Sequence, residues 1–409
     1  MANFKRHRRR SSKSSNWANI HGEILDAIFN HLSFKDLLVA EAVCSNWFLV
    51  ANSFINFKSR IQPHSIPHLM LPLEDKSQSS SSGYCRIENM PEEFSESCCI
   101  GSSHGWLIFL DERASPLLFN PSLQVQIQLP RIDSFLGVLN IEKVEDGGYS
   151  IKYNYQNNSI RYMENLRQNF IHKGILSSDP CLRISSYGVV VICSHEKRIA
   201  YCRNGFSSWV EVDGRHHPYQ DIICGRNHQL YALGKNASVE VWDFDCASNI
   251  PVKRMELEMS FPEKSNKFWN DFEDLYAARC YLVESTKGDI MLVVRFIGEL
   301  VDEYDEPVHE EDLLTEEDTH PLVDNLGDQA LFLGGNHSIS VSADKSSMEC
   351  KRNSIYFTDD YWDRMHEDYL YGGHDMGVFS LEEQSVKPLK ECRQLKIQPP
   401  PCWVNASPW

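Results

Sequence analysis

The chain is 409 residues long, which suggests two or three domains rather than one small core. Its formal net charge of −17 argues against a general binder of nucleic acid or of anionic membranes, because neither surface attracts a polyanion. The 13 cysteines are irregularly spaced and no apolar secretory signal begins the chain, so we expect free thiols in a reducing compartment. No stretch reaches the roughly 18 apolar residues that a membrane span requires.

Residues 1–16 are basic and rich in serine, and this composition predicts a disordered tail. The basic cluster is typical of a nuclear-import patch, and its members are Lys5, Arg6, Arg8, Arg9 and Arg10. Two alternatives stay open: an organellar transit peptide, which is also rich in Arg and Ser, and a simple solvated tail. The sequence thus predicts the nucleus, the cytoplasm or both, with an organelle as the alternative.

Residues 17–60 have the pattern of short amphipathic helices. Ile20, Ile24, Ile28 and Leu32 recur at every fourth position, which places them on one helical face. A second helix is predicted to begin at Ser33. About forty residues of short helices form a poor core alone, so we expect this module to dock on a partner or on the rest of the chain.

The remaining chain has the pattern of a linker followed by a β-rich domain. Residues 61–95 contain Pro63, Pro67 and Pro72 and the serine run Ser79–Ser82, and we expect a linker there. Residues 96–409 carry β-branched and aromatic runs at hairpin spacing, such as Gly105–Leu110 and Val189–Cys193. Closing many small antiparallel sheets into a ring protects their edges, so the pattern predicts a mainly β, β-propeller-like domain with an uncertain number of blades.

An acidic segment interrupts the predicted strands. Eleven of the twenty residues 299–318 are Asp or Glu, and self-repulsion should keep such a segment extended and solvated. We expect an acidic loop at 299–320, which could steer a basic partner or act only as a solubilising insertion.

The sequence predicts no catalytic residue, no cofactor and no structural metal. Gly101–Gly105 spells G-x-S-x-G, but a nucleophile elbow follows a strand and opens a helix, whereas this match precedes a strand. A plain turn is the better interpretation. The sequence contains no phosphate-binding glycine loop, no dinucleotide fingerprint, no H-E-x-x-H motif and no C-x-x-C pair.

Two polar clusters could bind a cation, although a solvated loop is favoured for each. One combines three aspartates with a histidine and a glutamate, without the spacing of a calcium loop: Asp359, Asp360, Asp363, His366 and Glu367. The other is the pair His216-His217 before Pro218. Three tryptophans within or beside strand runs are expected to pack in the core, with ligand stacking as the minor alternative: Trp106, Trp209 and Trp242.

The helical segment resembles an F-box. The matching residues, in order, are Trp17, Ile20, Glu23-Ile24-Leu25, Ile28, Leu32, Ser33, Lys35-Asp36-Leu37-Leu38, Val43-Cys44 and Trp47. The family usually has Leu-Pro where this chain has Ile20-His21, and the proline would preset the entry angle of the first helix. The resemblance implies binding to a Skp-type adaptor through Ile20, Ile24, Leu25, Leu32, Leu37, Leu38, Val43, Cys44 and Trp47. Some of these must instead hold the helices together, and the sequence does not divide the two roles.

The C-terminal region resembles the plant domain of unknown function 295, as found in KIB-type F-box proteins. The matching stretches include Gly105-Trp106-Leu107, Asn120-Pro121, Leu176–Pro180, Tyr281–Ser285, Leu326–Gly334, Ser354–Asp360 and Asp375–Phe379. The resemblance implies a kelch-like β-propeller that binds a substrate.

Taken together, the two resemblances imply a non-catalytic F-box subunit of a cullin-RING (SCF-type) E3 ubiquitin ligase. Its partners would be a Skp-type adaptor, a cullin scaffold and an unknown target protein, for which some relatives suggest a shaggy-like kinase; neither nucleic acid nor membrane is implied. Two alternatives stay open: an enzyme or small-molecule sensor built on the propeller, and a scaffold that no longer engages the ligase.

Overall fold

The computed structural model describes residues 17–32, 34–61, 66–71, 97–111, 114–135, 137–143, 149–153, 159–162, 170–181, 187–212, 214–244, 250–258, 276–298, 325–343, 350–360, 375–389 and 400–404. The chain divides into two compact units, which comprise residues 1–62 and 63–408. The predicted basic tail at 1–16 and the predicted acidic loop at 299–320 lie outside the described residues. No helix in the described part of the chain is long and apolar enough to cross a membrane.

The first unit contains three α-helices after a short 3-10 turn at Trp17–Asn19. Their bounds are α1 Gly22–Phe29, α2 Phe34–Glu41 and α3 Ser45–Ile61. The Phe29 ring packs edge-to-face against Trp47 and Phe54 of α3, with ring centroids 5.7 and 6.0 Å apart. Helices therefore occupy the range in which the periodicity of apolar residues predicts them.

The second unit is built from β-strands. Their bounds are β1 His68–Met70, β2 Cys98–Ser103, β3 Trp106–Leu110, β4 Pro116–Asn120, β5 Val125–Gln128, β6 Val138–Lys143, β7 Tyr149–Tyr153, β8 Ser159–Tyr162, β9 Ile171–Leu176, β10 Gly188–Cys193, β11 Arg198–Arg203, β12 Val210–Glu211, β13 Asp221–Cys224, β14 Gln229–Leu233, β15 Ser238–Asp243, β16 Val252–Glu258, β17 Tyr276–Glu284, β18 Ile290–Gly298, β19 Gln329–Leu333, β20 Ile339–Ser342, β21 Ser354–Phe357, β22 Gly377–Ser380, β23 Ser385–Pro388 and β24 Cys402–Val404.

Among the described residues, four sheets have four or five strands. Three of them are meanders of consecutive antiparallel strands, namely β2–β5, β9–β12 and β13–β16, and the fourth has the order β20-β19-β21-β22-β23. Strands β19 and β21 of the fourth sheet run parallel. Two-stranded sheets are formed by β17–β18 and by β1–β24, and β6–β8 form a separate three-stranded sheet.

Apolar clusters join these sheets into a ring. Each neighbouring pair of sheets shares buried side chains, represented in ring order by Ile108 with Val191, Val190 with Ile222, Val239 with Leu282, Val283 with Leu331, Phe332 with Trp403, and Phe109 with Cys402. The last cluster returns to the first sheet, so the described sheets form a closed ring. The prediction of a mainly β, propeller-like domain is confirmed, with the four larger sheets as its blades.

The two ends of the second unit pair with each other at the seam of this ring. Strand β1 is antiparallel to β24, with Leu69 opposite Trp403, and we call this two-stranded sheet the clasp. Asn336 fastens it, because its Nδ2 donates to the Trp403 carbonyl at 2.8 Å and its Oδ1 accepts from the Trp403 N–H at 3.1 Å. Strand β1 lies within the predicted linker 61–95, so part of that segment belongs to the propeller unit.

Candidate functional site

Large apolar side chains are exposed on the helical unit. They define what we call the apolar surface of the helical unit, and they are Trp17, Ile24, Val39, Val43, Phe48 and Leu49. Ile24 retains 57% and Val39 65% of its full exposure. The interior of the unit is filled by other residues, among them Leu25, Phe29 and Leu37, which are fully buried. The exposed set is therefore not required for the helices to pack together, and it is available to a partner.

The chain entering α1 is held against the beginning of α3. The Asn46 Nδ2 donates to the carbonyl oxygens of Ala18 and Ile20 at 3.2 and 2.9 Å, and the Trp47 Nε1 donates to the Trp17 carbonyl at 2.9 Å. These bonds position the 3-10 turn beside α3, and the turn presents the exposed Trp17 ring.

His21 stands at the N-cap of α1, where the family pattern usually has proline. Its φ is −63° and its ψ 140°, and its carbonyl accepts from Ile24 N and Leu25 N at 3.0 and 3.2 Å. Proline would fix φ near −65°, so His21 already adopts the backbone angle that the proline would impose. The departure from the Leu-Pro pattern therefore leaves the entry angle of α1 unchanged.

The structure divides the predicted adaptor-binding residues into three groups by their exposure. Leu25 and Leu37 are fully buried and hold the three helices together, so their side chains offer no surface to an adaptor. Ile24 and Val43 are exposed. The others are half-buried, and they are Ile20, Leu32, Leu38, Cys44 and Trp47.

Sequence reasoning missed four exposed apolar residues on the same unit. They are Trp17, Val39, Phe48 and Leu49, of which only Trp17 belongs to the family pattern and none was assigned to adaptor binding. The signal that could have found Val39 is its place two residues after Leu37, on the opposite side of α2.

In the propeller unit, a buried ion pair joins the inner strands of two blades. Lys173 Nζ on β9 donates to Asp221 Oδ1 on β13, and both side chains are almost completely buried. The other carboxylate oxygen of Asp221 accepts from Leu282 N on β17 at 2.7 Å. Burial raises the pKa of Asp221, whereas the Lys173 charge and the backbone N–H donors act in the opposite direction.

A second buried charge cluster contains Asp359 and Asp360, so the expectation that they lie in a solvated loop is wrong. Asp360 accepts from the Tyr281 hydroxyl at 2.9 and 3.0 Å and lies 3.6 Å from Arg295. Burial acts to lower the pKa of Arg295, but the charges of Asp375 and Asp360 raise it overall. Through these contacts, the Asp360 carboxylate connects β17 and β18 to the segment that follows β21. The other three members of the predicted cation cluster lie outside the described residues: Asp363, His366 and Glu367.

A third cluster could hold a metal by composition, because ligand atoms of His216, Glu240 and Glu256 lie within 4.8 Å of one another. His216 is half-buried rather than fully solvated, and its Nε2 lies 2.6 Å from Glu256 Oε1. Lys253 Nζ donates to both Glu240 and Glu256, and Tyr219 donates to Glu240. The lysine ammonium therefore supplies the positive charge that a metal ion would otherwise bring.

The G-x-S-x-G match does not form a nucleophile elbow. Gly101–Ser103 belong to strand β2, and the tight turn into β3 falls at His104 and Gly105. The three tryptophans expected in the core are confirmed there, since Trp106, Trp209 and Trp242 are all buried.

Comparison with known proteins agrees with the ring of sheets. A family model described as the KIB1-4 beta-propeller matches residues 76–380. In Arabidopsis thaliana, "F-box protein SKIP23" is 24% identical over 95% of this chain and 96% of its own length. "F-box protein At5g25290" is 24% identical over 93% of this chain and 95% of its own length. "Probable F-box protein At4g22060" is 25% identical over 92% of each chain.

Among solved structures, a streptogramin B lyase is 11% identical, with a TM-score of 0.27 over 73% of this chain and 83% of the lyase chain. The family model, in contrast, spans more than half of the chain and includes four of the six sheets in the ring completely. The chain belongs to the KIB1-4 beta-propeller family, and its relatives are named F-box proteins.

Proposed function

We propose that this protein is the substrate-recognition subunit of an SCF-type cullin-RING E3 ubiquitin ligase. The helical unit binds a Skp-type adaptor, which connects the chain to a cullin scaffold, and the propeller unit binds the target protein. The observation that carries the proposal is the apolar surface of the helical unit, which stays exposed although the three helices already have a filled interior. The F-box names of the relatives and the family membership support it.

Burial of this surface contributes favourable free energy to a complex. Ile24, Val39, Val43 and Leu49 are exposed aliphatic side chains, and burying one such side chain contributes roughly 1.5–3 kcal/mol. Losses of translational and side-chain freedom offset part of this gain.

The proposed role requires no catalytic group in this chain. A receptor that holds a target beside a ubiquitin-charged enzyme accelerates transfer by raising the effective concentration of the two. The buried charges around Asp221 and Asp360 are engaged with other protein groups, and Lys253 neutralises the His216 cluster. Because the Asp360 carboxylate is engaged with Tyr281 and Arg295, it gives no support to the enzyme or sensor alternative.

The target is a protein bound by loops at one end of the propeller, as connecting segments on a rigid scaffold commonly carry recognition. Its identity is open, and a shaggy-like kinase is a candidate by family resemblance alone. We place the complex in the nucleus, the cytoplasm or both, on the basis of the basic residues near the N-terminus.

The proposal is tested with the full-length protein and a purified Skp-type adaptor. We expect co-elution of the wild-type pair in size-exclusion chromatography, and loss of binding when Ile24→Asp and Val43→Asp are combined. Leu139→Asp is the matched control, because Leu139 is as exposed as Ile24 but lies on strand β6 of the propeller unit. Wild-type protein that fails to bind the adaptor at micromolar concentration would contradict the proposal and favour the scaffold alternative.

A further inference from the structure

Two buried cysteines face each other across the seam of the propeller ring. Cys99 lies on β2, the inner strand of the first blade, and Cys402 lies on β24 of the clasp. Strands β2 and β24 are in contact, and both cysteines belong to the apolar cluster that joins the clasp to the first blade. Both are free thiols with less than a twentieth of their surface exposed.

Strand alternation explains why Cys99, and not its neighbour, faces the clasp. Cys98 belongs to the apolar cluster on the other side of the blade, toward the β9–β12 sheet. Successive side chains of a strand point to opposite faces, so only one of the two adjacent cysteines can face Cys402. The Cys99 thiol is also close enough to contribute, after burial, to a raised pKa of Cys402.

We propose that Cys99 and Cys402 form a reversible disulfide that locks the propeller ring at its clasp. The oxidant is a small disulfide such as oxidised glutathione. One protein thiolate attacks a sulfur of the oxidant, which gives a mixed disulfide and releases the first glutathione thiolate. The second protein thiolate then attacks the protein sulfur of the mixed disulfide and releases the second glutathione. The two protein thiols lose their protons and are oxidised to one disulfide, and the oxidant is reduced to two thiols.

Burial makes this reaction depend on opening of the clasp. Both side chains are almost completely covered, so a dissolved oxidant does not reach Cys99 or Cys402 while the ring is closed. The clasp has three residues in each strand, whereas most blade strands are longer and are paired on both sides. Small and weakly paired elements open at lower free energy than the rest of a fold. Opening exposes Cys402, and reclosure brings it back to Cys99.

The disulfide would stabilise the closed ring against unfolding. It would join positions about 300 residues apart in the chain, so it would remove much of the conformational freedom of the unfolded state. We expect the thermal midpoint of the oxidised protein to rise by about 5 °C or more, and dithiothreitol to reverse the shift.

The experiment treats the native full-length protein with oxidised glutathione, blocks remaining thiols with N-ethylmaleimide and maps disulfides by mass spectrometry after non-reducing digestion. The expected product is a Cys99–Cys402 cross-link. Asn336→Ala removes the two hydrogen bonds between the Asn336 side chain and the Trp403 backbone of the clasp. The clasp should then open more often, so cross-linking should become several-fold faster in this variant.

Cys98→Ala is the matched control and should form the same cross-link as the wild type. Cys402→Ser should show no cross-link and no reversible shift of the thermal midpoint. The inference is overturned if Cys99 and Cys402 both remain alkylatable after denaturation of the treated protein. A cross-link that involves Cys98, or a rate unchanged by Asn336→Ala, overturns it as well. None of these readouts depends on adaptor binding, so they can fail or succeed apart from the proposed function.

Discussion

Lys173 and Asp221 form a buried ion pair between the inner strands of two neighbouring blades. Because Asp221 also accepts from Leu282 N, one carboxylate connects strands β9, β13 and β17. Apolar clusters join the same sheets, but they do not specify which backbone groups stand opposite one another. The Asp221 contacts are directional, and they therefore set the registration of three sheets around the ring.

Asp221→Ala should destabilise the propeller unit by about 3–5 kcal/mol, because it leaves the Lys173 ammonium buried without its partner. The free energy of unfolding is measured by urea titration with a β-sheet signal. Adding Lys173→Met to Asp221→Ala should restore part of the loss, since the uncompensated charge is removed. A double variant that is less stable than Asp221→Ala would contradict this account of the pair.

Neighbouring positions on α2 should separate folding from adaptor binding. Leu37 is fully buried, so Leu37→Ala should cost about 2–5 kcal/mol and raise hydrogen exchange throughout the three helices. Val39 is exposed, so Val39→Asp should leave exchange unchanged and weaken adaptor capture. The interpretation fails if both variants bind the adaptor equally well or if both unfold the helices.

His21→Pro should stabilise the helical unit by about 0.4–1 kcal/mol. The native φ of −63° suits proline, and the substitution reduces the freedom of the unfolded chain. Hydrogen exchange of the α1 amides should slow by several-fold. Faster exchange in His21→Pro would show that the backbone before α1 does not tolerate the pyrrolidine ring of proline. His21→Ala serves as the control for loss of the imidazole.

Gly101 should be intolerant of a side chain because strands β2 and β9 approach closely there. A Cβ on Gly101 would lie 2.0 Å from the carbonyl oxygen of Gly174, which is backbone and cannot move independently. Gly101→Ala should therefore destabilise the ring by about 1–3 kcal/mol or more in urea titration. Gly174→Ala is the matched control, since its Cβ would first meet the flexible end of Ile108 at 3.1 Å. Equal losses for the two variants would contradict the argument.

Lys253→Met should convert the His216 cluster into a zinc site. The change removes the ammonium group that donates to both Glu240 and Glu256, and it leaves three ligands in the spacing that a cation requires. Isothermal titration should detect zinc binding to Lys253→Met that the wild type lacks. The additional change His216→Ala should weaken that binding, and wild-type binding of equal affinity would refute the neutralising role of Lys253.

The sequence predicted those features that depend on local pattern. Apolar spacing of four residues located the helices, and β-branched runs between turn residues located most strands of the blades, because each pattern follows from the geometry of one element. The order of motifs indicated the family that the comparison establishes.

The predictions that failed concern contacts between distant segments. Asp359 and Asp360 look like a solvated loop in the sequence, because their partners lie elsewhere in the chain. Tyr281 and Arg295, which contact Asp360, come more than sixty residues earlier, and Asp375, whose N–H donates to Asp359, comes 16 residues later. Strand β1 was hidden within an apparent linker, because its partner β24 lies at the other end of the chain.

The same division applies to the helical unit. The pattern from Ile20 to Trp47 determined that three short helices form and that too many apolar residues are present for so small a core. Only the packed structure decided that Leu25 and Leu37 fill the interior while Ile24 and Val39 remain outside. Periodicity selects a helical face, but the crossing of three helices selects which part of that face is covered.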